Sequence, residues 1–290
     1  MNMLKSVRPR KLNPSKRKIA EIKRYQSGGK KTALIIGDPH FPYVDKPLWE
    51  KLCEFCEILR PDKRVWIGDI FDFYQCSKFD KSPKRKHSMI EEISKSKPFI
   101  EQLVAVGSAQ DIALPGNHEA RLRKRIWRDA ELSENLGLDD ITWHGILGLD
   151  DMGFTVHDFD GDHLPVISLG HLHIYHGDRT NKHAVVNIVN DWGCSVLYGH
   201  THRMRSFVKT TYDTTHGVWE NGYLASTKLS KQYMKGVADW QQGFSVVHYD
   251  PDDGWFHVTQ VPVCRVPERK IKRFMYQGDI YECKIEKEER

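Results

Sequence analysis

Five short apolar runs, each stopping at a small polar block, constrain this chain more than any other feature. Ala33-Leu34-Ile35-Ile36 stops at Gly37-Asp38, Val65-Trp66-Ile67 at Gly68-Asp69, and Ile112-Ala113-Leu114 at Pro115-Gly116-Asn117-His118. Val166-Ile167-Ser168-Leu169 leads towards His176-Gly177-Asp178, and Cys194-Ser195-Val196-Leu197-Tyr198 stops at Gly199-His200. Short continuous apolar runs bounded by turn residues read as strands buried on both faces. Between the first three lie stretches of helical periodicity, Leu48 to Leu59 and Ile90 to Val104. Strands alternating with helices imply an α/β core with a largely parallel sheet. Ligands of such sheets bind beyond the carboxyl ends of the strands. The polar blocks sit at those ends, so they are expected to share one site. After Tyr198, the segments Ser206 to Thr211, Trp219 to Ser226, Phe244 to Tyr249 and Trp255 to Val261 alternate apolar and polar residues. They predict a second sheet packed face to face with the first.

The 290 residues suffice for one large domain with a substantial core, or for two small ones. No long apolar run predicts a transmembrane helix. The basic N-terminus lacks the apolar core of a secretory signal, so the expected location is cytoplasmic and no membrane partner is expected. Six scattered cysteines are too sparse for a disulfide framework. Cys53 and Cys56 form a CxxC, but both fall within the helical pattern and are expected as buried thiols. The charge is uneven. Residues 1–31 carry eleven Lys and Arg and one acid, Glu21, for a net +10; the whole chain is +5, which leaves −5 for the rest. Residues 1–31 are therefore expected to be a flexible basic arm with at most a short helix around Ile19 to Tyr25, residues 32–264 the folded body, and residues 265–290 a charged tail that wraps or frays.

The polar blocks carry the chemistry. They are Asp38-Pro39-His40, Gly68-Asp69-Ile70-Phe71-Asp72, Gly116-Asn117-His118-Glu119, His176-Gly177-Asp178 and Gly199-His200-Thr201-His202. In extended chain, residues two apart point to one side. Asp38 with His40, and His200 with His202, can then reach the same or neighbouring ions. Glycines at 37, 68, 116 and 199 permit tight turns and close backbone approach. A donor set of oxygen and imidazole nitrogen without thiolate suits Mn²⁺, Fe or Zn²⁺ and disfavours a structural zinc site.

In this order the blocks resemble the calcineurin-like metallophosphoesterase superfamily, whose pattern is DxH, GDxxD, GNH(D/E), a later His, then GHxH. The resemblance spans roughly residues 32–260 and implies a four-layer α/β/β/α sandwich with two mixed β-sheets. It implies that two divalent metal ions, Mn²⁺ foremost, are held by Asp38, His40 and His202 on one side and Asn117, His176 and His200 on the other, with Asp69 bridging. For the fourth block His176 is preferred over the nearby His171 and His173, with His173 the nearest rival. The resemblance further implies attack on phosphorus by a metal-activated hydroxide. His118 acts as general acid near the leaving group, and Asp72 holds its other nitrogen. Ser/Thr protein phosphatases of this superfamily carry Arg-Gly after GDxxD, where this chain has Phe73-Tyr74. Lipid A precursor pyrophosphatases resemble the GDIFDF stretch but lack the His of the third block. Retention of His118 favours poor leaving groups, as in phosphodiesters.

The expected function is therefore a phosphodiesterase acting on nucleic acid. The alternatives are a small-molecule phosphatase or cyclic-nucleotide phosphodiesterase, and a non-catalytic nucleic-acid-binding accessory protein. Arg121 and Arg203, which follow the third and fifth blocks, are candidates to contact the substrate phosphate. The basic insert Lys78 to Lys86 is either a groove lining or an exposed loop. The basic arm has two readings: a solubilising tail, or an attachment to DNA or RNA through phosphates. No long heptad pattern points to an oligomeric state.

Overall fold

The computed structural model describes residues 29–78, 80–81, 88–138, 141–229 and 238–285. The segment up to residue 28, where a basic arm and a short helix are expected from the sequence, and most of the basic insert lie outside them. Four strands run parallel as expected: β1 (Lys31–Ile36), β2 (Lys63–Ile67), β3 (Gln110–Leu114) and the short β4 (Thr155–Val156). The crossovers carry α1 (Lys46–Leu59) and α2 (Met89–Val104). Each helix starts on a side-chain cap: Asp45 accepts from the Leu48 amide at 3.2 Å, and Ser88 forms a reciprocal capping box with Glu91. The shorter helices α3 (Glu119–Ile126), α4 (Ala130–Asn135) and α5 (Trp143–Leu147) follow β3.

The fourth and fifth runs lie in the second sheet. There β5 (Ile167–Leu169) and β6 (Leu172–Tyr175) form an antiparallel hairpin, so the strand that delivers His176 is β6 and not the run at 166–169. The helix α6 (Ala184–Trp192) leads to β7 (Ser195–Tyr198), parallel to β6, and β8 (Ser206–Thr210) and β9 (Thr215–Glu220) complete the order β5-β6-β7-β9-β8. The expectation that the second sheet begins after Tyr198 is corrected in the other direction too. β10 (Gly243–Tyr249) and β11 (Phe256–Pro262) return to the first sheet as antiparallel neighbours of β1, giving β11-β10-β1-β2-β3-β4.

Alternation within the apolar runs builds the layers. Ala33, Ile35, Val65, Ile67, Ile112 and Leu114 face the second sheet and pack with Leu172, Ile174 and Leu197. Leu34, Ile36, Trp66 and Ala113 face α1 and α2. Beyond the second sheet, Val196, Tyr198 and Val218 pack on Ala184, Ile188 and Val189 of α6. The result is the four-layer α/β/β/α sandwich. Cys53 and Cys56 are buried thiols on α1, as expected.

The tail wraps. β12 (Cys264–Val266), β13 (Ile271–Tyr276) and β14 (Asp279–Lys284) form a three-stranded antiparallel sheet against α1. Phe274, Tyr276 and Tyr281 surround Phe55 with ring centroids 5.2–5.6 Å away. Lys272 and Asp45, both fully buried, form an ion pair beneath them, and Gln242 donates to the same carboxylate at 3.0 Å. The polar periodicity of this segment hid one buried face.

Candidate active site

The loops beyond β1, β2, β3, β6 and β7 meet at the shared carboxyl end of the two sheets. Asp38 and His40 converge, as do His200 and His202, but not through extended chain. Among the described residues nine non-glycine positions have positive φ, and five of these are expected ligands: Asp38 (51°), His40 (45°), Asp69 (47°), His200 (67°) and His202 (57°). Left-handed turns, not strand alternation, aim these side chains inward. Such conformations cost of order 1–3 kcal/mol each and persist only when neighbours enforce them. Here the first loop is tied to the second. The amides of Asp38, His40 and Phe41 donate to the carbonyls of Gly68, Asp69 and Ile70 at 3.3, 3.0 and 2.7 Å. The His200 amide donates in turn to the Asp38 carboxylate at 3.1–3.2 Å.

Three groups of ligand-type atoms result; two share Asp69, and the third joins His40 to Asp72 and His118. Asp38, His40, Asp69 and His202 form the first: His202 Nε2 lies 3.2 Å from Asp38 Oδ1 and 2.9 Å from His40 Nε2, which is 3.9 Å from Asp69 Oδ2. Asp69, His176 and His200 form the second, with His176 Nε2 3.4 Å from Asp69 Oδ1 and 3.1 Å from Asn117 Oδ1. Asp69 stands in both of these groups with one oxygen towards each. His176 is fully buried, and its Nδ1 donates to the Ile67 carbonyl at 2.8 Å, which turns Nε2 towards the cluster. His173 instead meets the Ser168 hydroxyl, 3.0 Å away on the β5–β6 hairpin.

The residues fit two divalent ions. Metal–ligand bonds of about 2.1 Å put neighbouring ligand atoms about 3 Å apart, which matches the spacings around His202 and His176. Among the described residues, the buried Nδ1 atoms of His40, His200 and His202 have no hydrogen-bond partner. Gly116 is where a side chain has no room, because a Cβ there would overlap the Asp69 carboxylate and the His176 ring.

Electrostatics follow from burial and crowding. Burial, reinforced by His118, holds His40 well below its ordinary pKa. Burial and then His176 push His200 down to about 4. Burial alone would raise Asp69, but His118, His176, His40 and His200 around it outweigh that and hold the carboxyl far down. His176 is raised: burial opposes its charge, but Asp69 and Asp38 outweigh it.

In the sequence Glu119 appears only as the last residue of the third block. It is fully buried, and its carboxylate accepts from the amides of Asp69 (2.9 Å), Phe71 (3.0 Å) and Gly116 (2.8 Å). It therefore fixes the second and third loops to each other. The signal available was an acid in the first turn of a helix directly behind Gly116-Asn117-His118.

His118 lies beside the cluster, its Nε2 3.6 Å from Asp69 Oδ2 and its ring 4.5 Å from that of His40. Its Nδ1 is held at Asp72, although the nearer acceptor is the Asp72 main-chain carbonyl at 2.8 Å, with the carboxylate at 3.3 Å. Arg121 reaches the same place: Nη1 donates to the Asp72 carbonyl at 2.8 Å, and Nη2 lies 2.6 Å from His118 Nε2. Arg203, the other expected phosphate contact, points elsewhere. It meets the carbonyls of Thr180 and Asn181 at 3.3 and 3.4 Å and the Asp239 carboxylate at 3.8 Å.

The family model of calcineurin-like phosphoesterases matches residues 31–204, which contain all five blocks. The chain is 28% identical over 239 residues to the Gene 54 protein of Mycobacterium phage D29 and 29% over 238 residues to that of Mycobacterium phage L5. Each match covers 76% of this chain and 89% of the relative. Among solved structures, Vacuolar Protein Sorting 29 from Cryptosporidium parvum matches with a TM-score of 0.41 at 13% identity over 88% of this chain and 97% of that one. A predicted phosphoesterase from Streptococcus pneumoniae TIGR4 matches with a TM-score of 0.33 at 12% identity over 88% and 98%.

Proposed function

This chain belongs to the calcineurin-like phosphoesterase family, and from that premise we propose that it is a two-metal phosphodiesterase acting on nucleic acid. The observation that carries the diester reading is His118, buried beside the shared carboxylate Asp69 and anchored through Nδ1. An alkoxide leaving group, as in a phosphodiester, needs a proton or hydrogen bond as it departs, and a held imidazole supplies one. The nucleic-acid reading is supported by the net +10 of residues 1–31.

Asp38, His40 and His202 would hold one ion, Asn117, His176 and His200 the other, and Asp69 both. The mixed carboxylate, amide and imidazole set favours manganese in our reading. When bound, such ions polarise phosphoryl oxygens and make a water acidic near neutral pH. The chain's own part is positional. Asp69 keeps the two ligand groups that share it adjacent, Glu119 locks the loops that present Asp69 and Asn117, and Ile67 orients His176. With Nδ1 held at Asp72, His118 would serve the leaving oxygen through Nε2, once that atom is protonated and released from Arg121 Nη2.

One panel tests the proposal: purified protein with Mn²⁺ on p-nitrophenyl mono- and diesters, single- and double-stranded DNA, RNA and cyclic nucleotides. The expected result is diester and nucleic-acid cleavage. Turnover of the monoester or cyclic nucleotides alone would replace this reading with a small-molecule enzyme.

A further inference from the structure

Arginines near the site differ in what neutralises them. Arg179 pairs with Asp191, Arg123 with Asp162, and Arg203 and Arg205 with Asp239. Arg121 makes no ion pair among the described residues. Its two partners are the Asp72 main-chain carbonyl and the His118 imidazole, and the Asp72 carboxylate lies 3.3 Å from His118 Nδ1. A guanidinium carries five N–H donors in a planar fork, and these two contacts leave most of them unused. The side chain is part-exposed. Helical geometry explains the placement. Arg121 lies three residues after His118 on the first turn of α3, so the two side chains share one face. Through His118 Nε2, which is itself 3.6 Å from Asp69 Oδ2, the guanidinium reaches the mouth of the ligand cluster. The second block, where a protein-phosphatase-like chain has arginine, offers the buried Phe73 instead.

We propose that Arg121 is the phosphoryl-binding residue of this site, its guanidinium taking a non-bridging oxygen of a phosphodiester seated on the ligand cluster. The inference rests on the phosphodiesterase reading and adds to it the group that grips the substrate anion. A charge-assisted hydrogen bond to phosphate is among the stronger ones a side chain makes, and the planar fork fits phosphate better than an ammonium does.

A purely supporting role, in which Arg121 only holds His118, is separable. The test is a double-mutant cycle of Arg121→Ala and His118→Ala on bis(p-nitrophenyl) phosphate. It is combined with calorimetric binding of inorganic phosphate to the manganese-loaded protein and with metal analysis of each variant. We expect Arg121→Ala to keep its metals, lower kcat/KM about 10²-fold and weaken phosphate binding about tenfold or more. The loss should be of similar size in the His118→Ala background, and Arg121→Lys should recover part of it. If Arg121→Ala adds no loss once His118 is gone and leaves phosphate binding unchanged, Arg121 acts only through His118 and the proposal is overturned. Phosphate binding is read without turnover. Should the wild-type protein fail to cleave any diester, the phosphodiesterase reading falls while the Arg121 assignment is still decided by the phosphate titration.

Discussion

Asp38, His40, Asp69, His200 and His202 are chosen for backbone as well as for ligand chemistry. Aspartate and histidine are both enriched at left-handed φ among non-glycine residues, but such a backbone still needs enforcement from outside. The cross-loop hydrogen bonds and the Glu119 carboxylate supply it. The residues that meet at the cluster were legible in the sequence because each block is local. The left-handed turns and the role of Glu119 were not, because both depend on loops far apart in the chain. Two predictions belong at this scale. Gly116→Ala should lose metal and activity together, since the added carbon displaces Asp69 and His176; metal analysis of the purified variant checks it, and full metal occupancy would contradict the packing argument. His118→Ala should keep both ions and lose roughly 10²–10⁴ in turnover on diesters with alkoxide leaving groups. Steady-state kinetics over leaving groups of rising basicity should show the deficit growing.

Strand positions were readable from apolar runs, because a strand buried on both faces carries its signal in its own residues. Sheet membership was not. The pairing of β10 with β1 joins residues more than two hundred apart, and the β5–β6 hairpin looks, run by run, like another crossover strand. The C-terminal sheet escaped notice for a related reason: its buried face includes Lys272, a residue that composition assigns to the surface. Lys272→Met should cost about 3–5 kcal/mol, because it strands the buried Asp45 carboxylate that also caps α1. Denaturant unfolding measures this, and Asp45→Asn combined with Lys272→Met should cost less than the sum of the two. His248 on β10 meets Thr32 at 3.0 Å and the Tyr276 hydroxyl at 2.9 Å, and burial, with His257, lowers its pKa. The unfolded chain therefore takes up a proton first as pH falls through about 6.5, so stability should be complete above that pH and decline below it. His248→Gln should flatten that part of the stability–pH curve, read from denaturation midpoints between pH 7.5 and 5.

Viewed whole, the site is a seam. Asp38, His40, Asp69 and Asn117 come from loops of the first sheet, and His176, His200 and His202 from loops of the second, so each group that shares Asp69 draws on both. Bound ions would hold the sheets together, and chelation should lower the melting temperature as well as abolish activity, with both restored by Mn²⁺. The arm can be tested without disturbing the body by deleting residues 1–28, since Lys31 already belongs to β1. If the arm guides nucleic acid, truncation should weaken DNA or RNA binding at low salt and spare bis(p-nitrophenyl) phosphate hydrolysis; unchanged binding would leave the arm a solubilising tail. The direction of β1 has a practical consequence. Lys31 opens the strand and Asp38 follows its far end, roughly 20 Å away at about 3.3 Å per residue. In a chain shortened to begin at residue 29, a bead, a surface or a fused reporter attached at the new N-terminus would thus sit at the end of β1 opposite the ligand cluster.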